Sequence, residues 1–235
     1  MSTGSSSRAA PIDASWLGQV DYAAAHALQK RLVTERAEGR SGDRLLLLEH
    51  PRVLTLGRMA DPRHIRADAA TLAAEGIEVV RVERGGEVTY HGPGQLVAYP
   101  IIGLSARGLM VRPLVRALEA ALVETCTAHG VPAARRDGHP GCWCEPDGPQ
   151  PRKIGALGLR IERGVSYHGI ALNVTVDLDD FRFIDACGMP GTRSTSIARE
   201  RGETASEPTT QSVEDAARIF ATALAAGLGA PLTGI

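Results

Sequence analysis

The run Arg84–Gly85–Gly86–Glu87–Val88–Thr89–Tyr90–His91–Gly92–Pro93–Gly94–Gln95 constrains this chain more than any other. Two glycine bends enclose Glu87 to Tyr90, where alternating polar and apolar residues predict a short strand. A second apolar strand is expected from Leu96 to Ile102. Paired glycines permit backbone conformations closed to other residues and let a ligand approach the main chain closely. The local reading is a β-hairpin punctuated by glycine and proline. An arginine, a tyrosine and a histidine within so well-specified a loop also make it a candidate binding wall.

A chain of 235 residues with 43% hydrophobic content can build a real core. Its formal net charge of −1 lacks the basic excess of a general nucleic-acid binder. No segment has the length of a transmembrane helix, which argues against a membrane partner. Residues 1–12 are expected to form a disordered tail, since Met1 to Pro11 carry no apolar run of the kind a secretory signal needs. Residues 13–230 are expected to form a single domain, cytoplasmic in location. The four cysteines, Cys126, Cys142, Cys144 and Cys187, are too few and too irregular for a disulfide framework. Each is then a buried thiol, a metal ligand or a nucleophile. Among 26 basic residues only Lys30 and Lys153 are lysine. Arginine keeps its proton in a protein and lysine can lose it, so Lys153 in a glycine-rich strand is a candidate for chemistry that needs a neutral amine.

Periodicity predicts an amphipathic helix from Trp16 to Glu38, capped at Asp13 or Ser15 and stopped by Gly39. Arg44 to Glu49 holds four consecutive leucines and reads as a buried strand. Strands follow at Val53 to Gly57 and Ile77 to Val82, with a short helix between them from Ile65 to Glu75. Val111 to Gly130 is a strong helix whose apolar stripe makes Cys126 a core thiol. Arg135 to Arg152, rich in Gly, Pro and Asp, reads as a long surface loop. Lys153 to Ile161 and Val165 to Leu178 are strands around the hairpin signal Glu162–Arg163–Gly164. Pairing Ile161 with Val165 would set Lys153 opposite Asn173 and turn His168 to the other face; a slip of one residue reverses this. Asp179 to Phe183 is a turn or short helix, Ser194 to Arg199 a short helix, Thr204 to Gln211 a polar connector, and Val213 to Leu228 a closing Ala-rich helix. Interleaved strands, helices and hairpins argue a mixed α/β (α+β) domain rather than a purely parallel sheet.

Three separated segments together resemble one family. They are Glu49–His50–Pro51 with Thr55–Leu56–Gly57, the run from Arg84 to Gln95, and Lys153–Ile154–Gly155–Ala156–Leu157–Gly158 followed by His168–Gly169–Ile170–Ala171–Leu172–Asn173 and Cys187–Gly188. The chain resembles the octanoyltransferases of lipoate biosynthesis over roughly residues 15 to 230. The resemblance implies the fold of lipoate ligases and of the catalytic domain of biotin ligases, with mixed sheets flanked by helices. It implies transfer of an octanoyl group from octanoyl-acyl carrier protein to a lysine of lipoyl domains. The expected acceptors are the lipoyl domains of 2-oxoacid dehydrogenase complexes and the glycine cleavage H protein. No cofactor and no metal are expected. Cys187 maps to the acyl-thioester nucleophile and Lys153 to its acid/base partner. Substrate contacts map to Arg84, Gly85, Gly86, Glu87, Val88, Thr89, Tyr90 and His91, to Ala156, Leu157 and Gly158, and to Gly169, Ile170 and Ala171. Two departures stand out: Ala186 precedes Cys187 where the family has proline, and Gly141–Cys142–Trp143–Cys144 replaces a glycine followed by apolar residues.

The residues suit that chemistry. Thioester exchange is nearly balanced in energy and thioester-to-amide transfer is downhill, so no ATP is needed, and no P-loop is present. A cysteine nucleophile fits the first half-reaction. With a thiol pKa of about 8.5, Cys187 needs a partner that takes its proton or stabilises the thiolate. Backbone N–H groups around Cys187 and Gly188 are candidate oxyanion donors. His91 can hold the thioester or orient the loop; His50 and His168 read as hydrogen-bonded structural histidines. Three other readings compete. An ATP-dependent lipoate or biotin ligase would not need Cys187. A noncatalytic acyl- or carrier-binding module would not pair a thiol with Lys153. A zinc site at His139, Cys142 and Cys144 has ligand residue types but lacks the usual spacing and a fourth ligand.

Overall fold

A computed structural model describes residues 10–185, 192–203 and 212–235. The expected tail up to residue 9, the segment with Cys187 and Gly188, and the polar connector lie outside the described residues. The described residues form twelve strands and five α-helices. In chain order these are β1 (Ile12–Gln19), α1 (Tyr22–Ala37), β2 (Asp43–Glu49), β3 (Val53–Leu56), α2 (Ala69–Ala74), β4 (Glu78–Arg81), β5 (Val88–His91) and β6 (Gln95–Ile101). They continue with α3 (Val111–Ala128), β7 (Ala134–Arg136), β8 (His139–Cys144), β9 (Arg152–Glu162), β10 (Val165–Asn173), β11 (Arg193–Ser194), α4 (Ile197–Glu200), α5 (Val213–Gly227) and β12 (Leu232–Gly234).

The larger sheet runs β12-β1-β2-β6-β10-β9-β8-β7, with β11 beside β9. Pairing is parallel among β12, β1 and β2, parallel between β11 and β9, and antiparallel elsewhere. The smaller sheet is β4-β3-β5. Four leucines in a row make sense because β2 is covered on both faces. Leu45 and Leu47 enter the core under α3 and α5, while Leu46 and Leu48 enter the core under α1. Strand β6 repeats the pattern, with Leu96 and Ala98 on the first face and Val97, Tyr99 and Ile101 on the second. The buried Asp43 carboxylate at the head of β2 is held by Arg36, Arg107 and the Gly103 N–H, which ties α1 to both neighbouring loops.

Several expectations are corrected. The first helix begins at Tyr22, capped by Asp21, whose side chain accepts from the Ala24 N–H at 3.0 Å; Trp16 to Gln19 belong to β1. Gly39 ends that helix as expected, at φ +72°. The stretch from Glu87 to Ile102 is not a hairpin. Strand β5 pairs with β3 in the small sheet, and β6 pairs with β2 and β10 in the large one, so the Gly92–Pro93–Gly94 bend carries the chain between sheets. Residues 135–152 are not a surface loop: β7 and β8 extend the large sheet, and Cys142, Trp143 and Cys144 are fully buried. The folded body also continues past residue 230 into β12, which pairs with β1.

The β9–β10 hairpin turns on Arg163 and Gly164, both at positive φ (51° and 77°), as a two-residue turn of type I′ requires. This sets Val165 opposite Glu162, one residue from the register expected. Gly158 then faces Gly169, Leu157 faces Ile170, and Ala156 faces Ala171. Lys153 is flanked by Trp143 on β8 and Ser194 on β11 instead of Asn173.

Candidate active site

The two sheets meet where the motif segments converge, and glycine is needed at the points of closest approach. A Cβ on Gly57 would lie 2.3 Å from the Gly86 carbonyl oxygen, and one on Gly158 would lie 2.8 Å from the Gly85 oxygen. The Gly85 N–H donates to the Leu159 carbonyl at 2.9 Å. Segments distant in sequence are thus locked backbone to backbone. Glu49 accepts the Gly94 N–H at 2.6 Å, and the His50 ring reaches Tyr99, so the first motif fastens the exit of the second.

A cavity of about 250 Å³ lies at this junction. Arg84, Gly86, Glu87, Val88, Thr89 and His91 line one side, and Ala156, Leu157, Gly158, Gly169, Ile170 and Ala171 line another. Lys153, His168, Tyr22, Tyr99 and the turn residues Gly138, His139 and Pro140 complete it. Of the substrate-contact residues mapped from the sequence, Gly85 and Tyr90 do not line it. Gly85 supports the wall through its backbone. Tyr90 is buried and donates its hydroxyl to Asp180 at 2.5 Å, and Asp180 is also gripped by Arg52. Burial pushes the Tyr90 phenol up, and the Asp180 hydrogen bond adds to the shift.

Lys153 is 8% exposed, with its Nζ 5.1 Å from the centre of the Trp143 ring. The main chain around it is fixed as well: the Thr195 N–H donates to the Lys153 carbonyl at 2.9 Å. The described flanks of the segment containing Cys187 are both anchored. Asp185 N–H donates to the His64 carbonyl at 2.8 Å, and Arg193–Ser194 pair with Arg152–Lys153. Arg84 turns its guanidinium to the buried Thr55, donating to its carbonyl at 2.7 Å and its hydroxyl at 2.8 Å. Glu87 accepts from the Asp61 N–H at 3.2 Å and contacts His64 Nδ1 at 3.0 Å.

Hydrogen bonds orient His50 and His91, whereas the ring of His168, expected from sequence to be hydrogen-bonded, has no partner at Nε2. His50 donates Nδ1–H to the Val20 carbonyl and accepts the Tyr99 hydroxyl at Nε2, both at 2.7 Å. Burial holds its ring down at about 4. For His91 a chain of bonds decides the tautomer. Asn173 donates to the Thr195 carbonyl at 2.8 Å, so its oxygen faces Gln95 and accepts the Gln95 amide N–H at 2.9 Å. The Gln95 oxygen then accepts His91 Nδ1–H at 2.7 Å, leaving Nε2 as an acceptor. Burial, reinforced by His50, holds His91 down at about 3. His168 adopts a left-handed backbone at φ +53°, and its ring packs with Tyr167, Tyr99 and His26. It shares the cavity with Lys153, in keeping with the one-residue slip of the hairpin register, the case expected to reverse their separation onto opposite faces.

The zinc grouping considered from sequence does not assemble. Among the described residues His139, Cys142 and Cys144 do not come together as a ligand group. Cys142 and Cys144 point into the core with Cys126, and His139 packs on Trp143. A hydrogen bond with the Cys142 thiol, together with burial, pushes the Cys126 thiol well up. Among the described residues no helix is long and apolar enough to cross a membrane.

Residues 21–224 match the lipoyl protein ligase A/B catalytic domain. The chain belongs to this family. An octanoyltransferase of Chloroflexus aggregans is 47% identical over 188 residues, covering 80% of this chain and 84% of that protein. One of Acidobacterium capsulatum is 47% identical over 192 residues, covering 78% of each. Among solved structures, lipoate-protein ligase A bound with ATP superposes with a TM-score of 0.68 at 14% identity, covering 96% of this chain and 88% of the other. The biotin protein ligase of Aquifex aeolicus in complex with biotin and ATP gives 0.53 at 12% identity, covering 92% and 70%. At such identities these structures establish the fold: mixed α/β with mixed sheets, as expected from the sequence.

Proposed function

We propose that the chain transfers an octanoyl group through a covalent acyl-enzyme on Cys187, with Lys153 moving the protons. Octanoyl transfer in protein lipoylation, an acyltransferase activity, is the function of the chain, and this sets aside the noncatalytic binding module. The observation that carries the mechanism is Lys153 itself. One of two lysines in the chain, it stands buried in the wall of the cavity that both glycine-rich segments enclose.

In the first half-reaction the Cys187 thiol gives its proton to the neutral Lys153 amine, and the thiolate attacks the thioester carbonyl. The C–S bond to the donor breaks, and the departing thiolate takes the proton back from Lys153. In the second half the neutral amine of the acceptor lysine attacks the acyl-enzyme. An amide forms, Cys187 leaves as thiolate, and the proton lost by the amine reaches it through Lys153. Every proton released is consumed, and no ATP enters. The apolar wall of Leu157, Ile170, Ala156 and Ala171 suits an eight-carbon chain, and the acceptor-only Nε2 of His91 gives the cavity a polar end. The donor in this reading is octanoyl-acyl carrier protein, and the acceptors are lipoyl domains of 2-oxoacid dehydrogenases and the glycine cleavage H protein. Free thiols at Cys126, Cys142 and Cys144 fit a reducing cytoplasm.

Intact mass spectrometry after incubation with octanoyl-carrier protein tests the mechanism. One octanoyl adduct is expected, mapped to Cys187 and absent from Cys187→Ala. Persistence of the adduct elsewhere in that variant overturns the assignment, and a requirement for ATP would return the chain to the ligase reading.

A further inference from the structure

The acyl cavity does not account for the residues behind His168. We propose that His26, Glu83 and His168 form a binding site for one divalent transition-metal ion of the zinc class. One ligand comes from each of α1, the loop after β4, and β10.

The geometry is close to that of a ligand set. His26 Nε2 lies 3.1 Å from Glu83 Oε1, and His168 Nε2 lies 4.0 Å from Glu83 Oε2. The three ligand atoms fall within 4.8 Å of one another. A tetrahedral ion with bonds of about 2.1 Å holds its ligands roughly 3.4 Å apart, somewhat closer than the 4.8 Å span within which these three atoms lie. Shifts of about 1 Å in the partly exposed His26 and Glu83 side chains would bring the three atoms to that spacing. Two imidazoles, one carboxylate and an open position make a donor set that suits zinc.

A second observation points the same way. His168 is 1% exposed, and its Nε2 has no hydrogen-bond partner. A buried ring nitrogen of this kind forfeits a hydrogen bond unless something coordinates it. The His168 backbone N–H donates to Gln29 on α1 at 2.8 Å, which fixes the ring's approach.

The surroundings orient the carboxylate without occupying the site. Tyr167 donates its hydroxyl to Glu83 Oε1 at 2.9 Å, the outer-shell support that ligating carboxylates commonly have. Lys30 stands 3.7 Å from the same oxygen but is held by Glu162 at 2.6 Å, and Arg84 turns to Thr55. Oε2 is the oxygen that faces His168.

The test uses the full chain stripped by chelator and titrated with zinc chloride, in competition with a chromophoric chelator. One ion per chain is expected, with micromolar or tighter affinity. His26→Ala, which leaves the acyl cavity intact, should lose at least about tenfold in zinc affinity while keeping its zinc-free transfer activity; Glu83→Gln should lose as much. Cobalt substitution should give a tetrahedral spectrum without thiolate-to-metal charge transfer, which separates this site from Cys187. Absence of binding, unchanged affinity in both variants, or a thiolate band would each overturn the proposal.

Discussion

Gly169→Ala probes the wall between the two halves of the cavity. A Cβ at this position would lie 2.0 Å from the Ala98 carbonyl oxygen and 2.6 Å from Pro100 Cδ. An ordinary Cβ contact to that oxygen begins at 3.4 Å, so the strands must separate locally by more than 1 Å. Strand β6 cannot retreat cheaply, because it is buried on both faces. The cost belongs at the top of the overpacking range, about 3 kcal/mol. For a chain of this size each kcal/mol lowers Tm by roughly 2–4 °C, giving a drop of about 6–12 °C. Because Gly169 faces Gly158 across the hairpin, the same shift distorts the acyl cavity, and kcat/KM should fall with stability. Calorimetry and urea unfolding measure the first effect and octanoyl transfer the second. Gly85→Ala is the control, since its Cβ would meet only the Leu159 oxygen at 3.3 Å and should cost under about 1 kcal/mol. A Gly169→Ala protein with Tm within about 1 °C of the parent would refute the reasoning, because that backbone contact would then have to be relieved at no cost.

Lys153→Arg keeps the positive charge but cannot give up a proton; transfer should fall by at least about 100-fold, and near-normal turnover in a steady-state assay would exclude proton transfer by Lys153. His50, His91 and His168 are held neutral by burial, their folded values (about 4, 3 and 3) lying below the ordinary 6.5. Their contribution is complete above about pH 6.5 and is lost as pH falls toward 4 and 3, because the unfolded chain takes up protons that the folded chain refuses. Three such groups predict a loss of about 4 kcal/mol between about pH 7.5 and about pH 5.5; a flat urea-unfolding profile across that window would show that they charge within the fold. Tyr90→Phe removes one bond to a buried carboxylate and should cost about 2 kcal/mol, read as a lower urea midpoint at unchanged m-value.

Much of the site is legible in the residues alone. Glycines at 85, 86, 158 and 169 mark a wall that backbone can build, and the scarcity of lysine singles out Lys153. Other features have no local signal. Residues 135–152 have a loop's composition, yet β8 is a buried strand because β9 and α3 cover it, and neither lies within a sequence window around Cys142. The mapped substrate run contains Tyr90, but alternation along β5 cannot say which face meets the cavity until β3 and the Asp180 turn are in place. The metal candidate is invisible for the same reason. His26, Glu83 and His168 lie 57 and 85 residues apart and share no motif spacing.

By itself the chain determined several of its elements and its family: the leucine strand, the long helices, the hairpin at Arg163–Gly164 and the segments that mark the family. Periodicity and glycine placement act over a few residues, so they can be read locally. Only the tertiary structure decided that the Gly92–Pro93–Gly94 bend crosses between two sheets, that Ala156–Gly158 and Gly169–Ala171 face each other, and that His168 turns toward α1. Each depends on which strands pair and in what register. That is settled by burying both faces of the sheet at once, and a single residue of slip would exchange those faces.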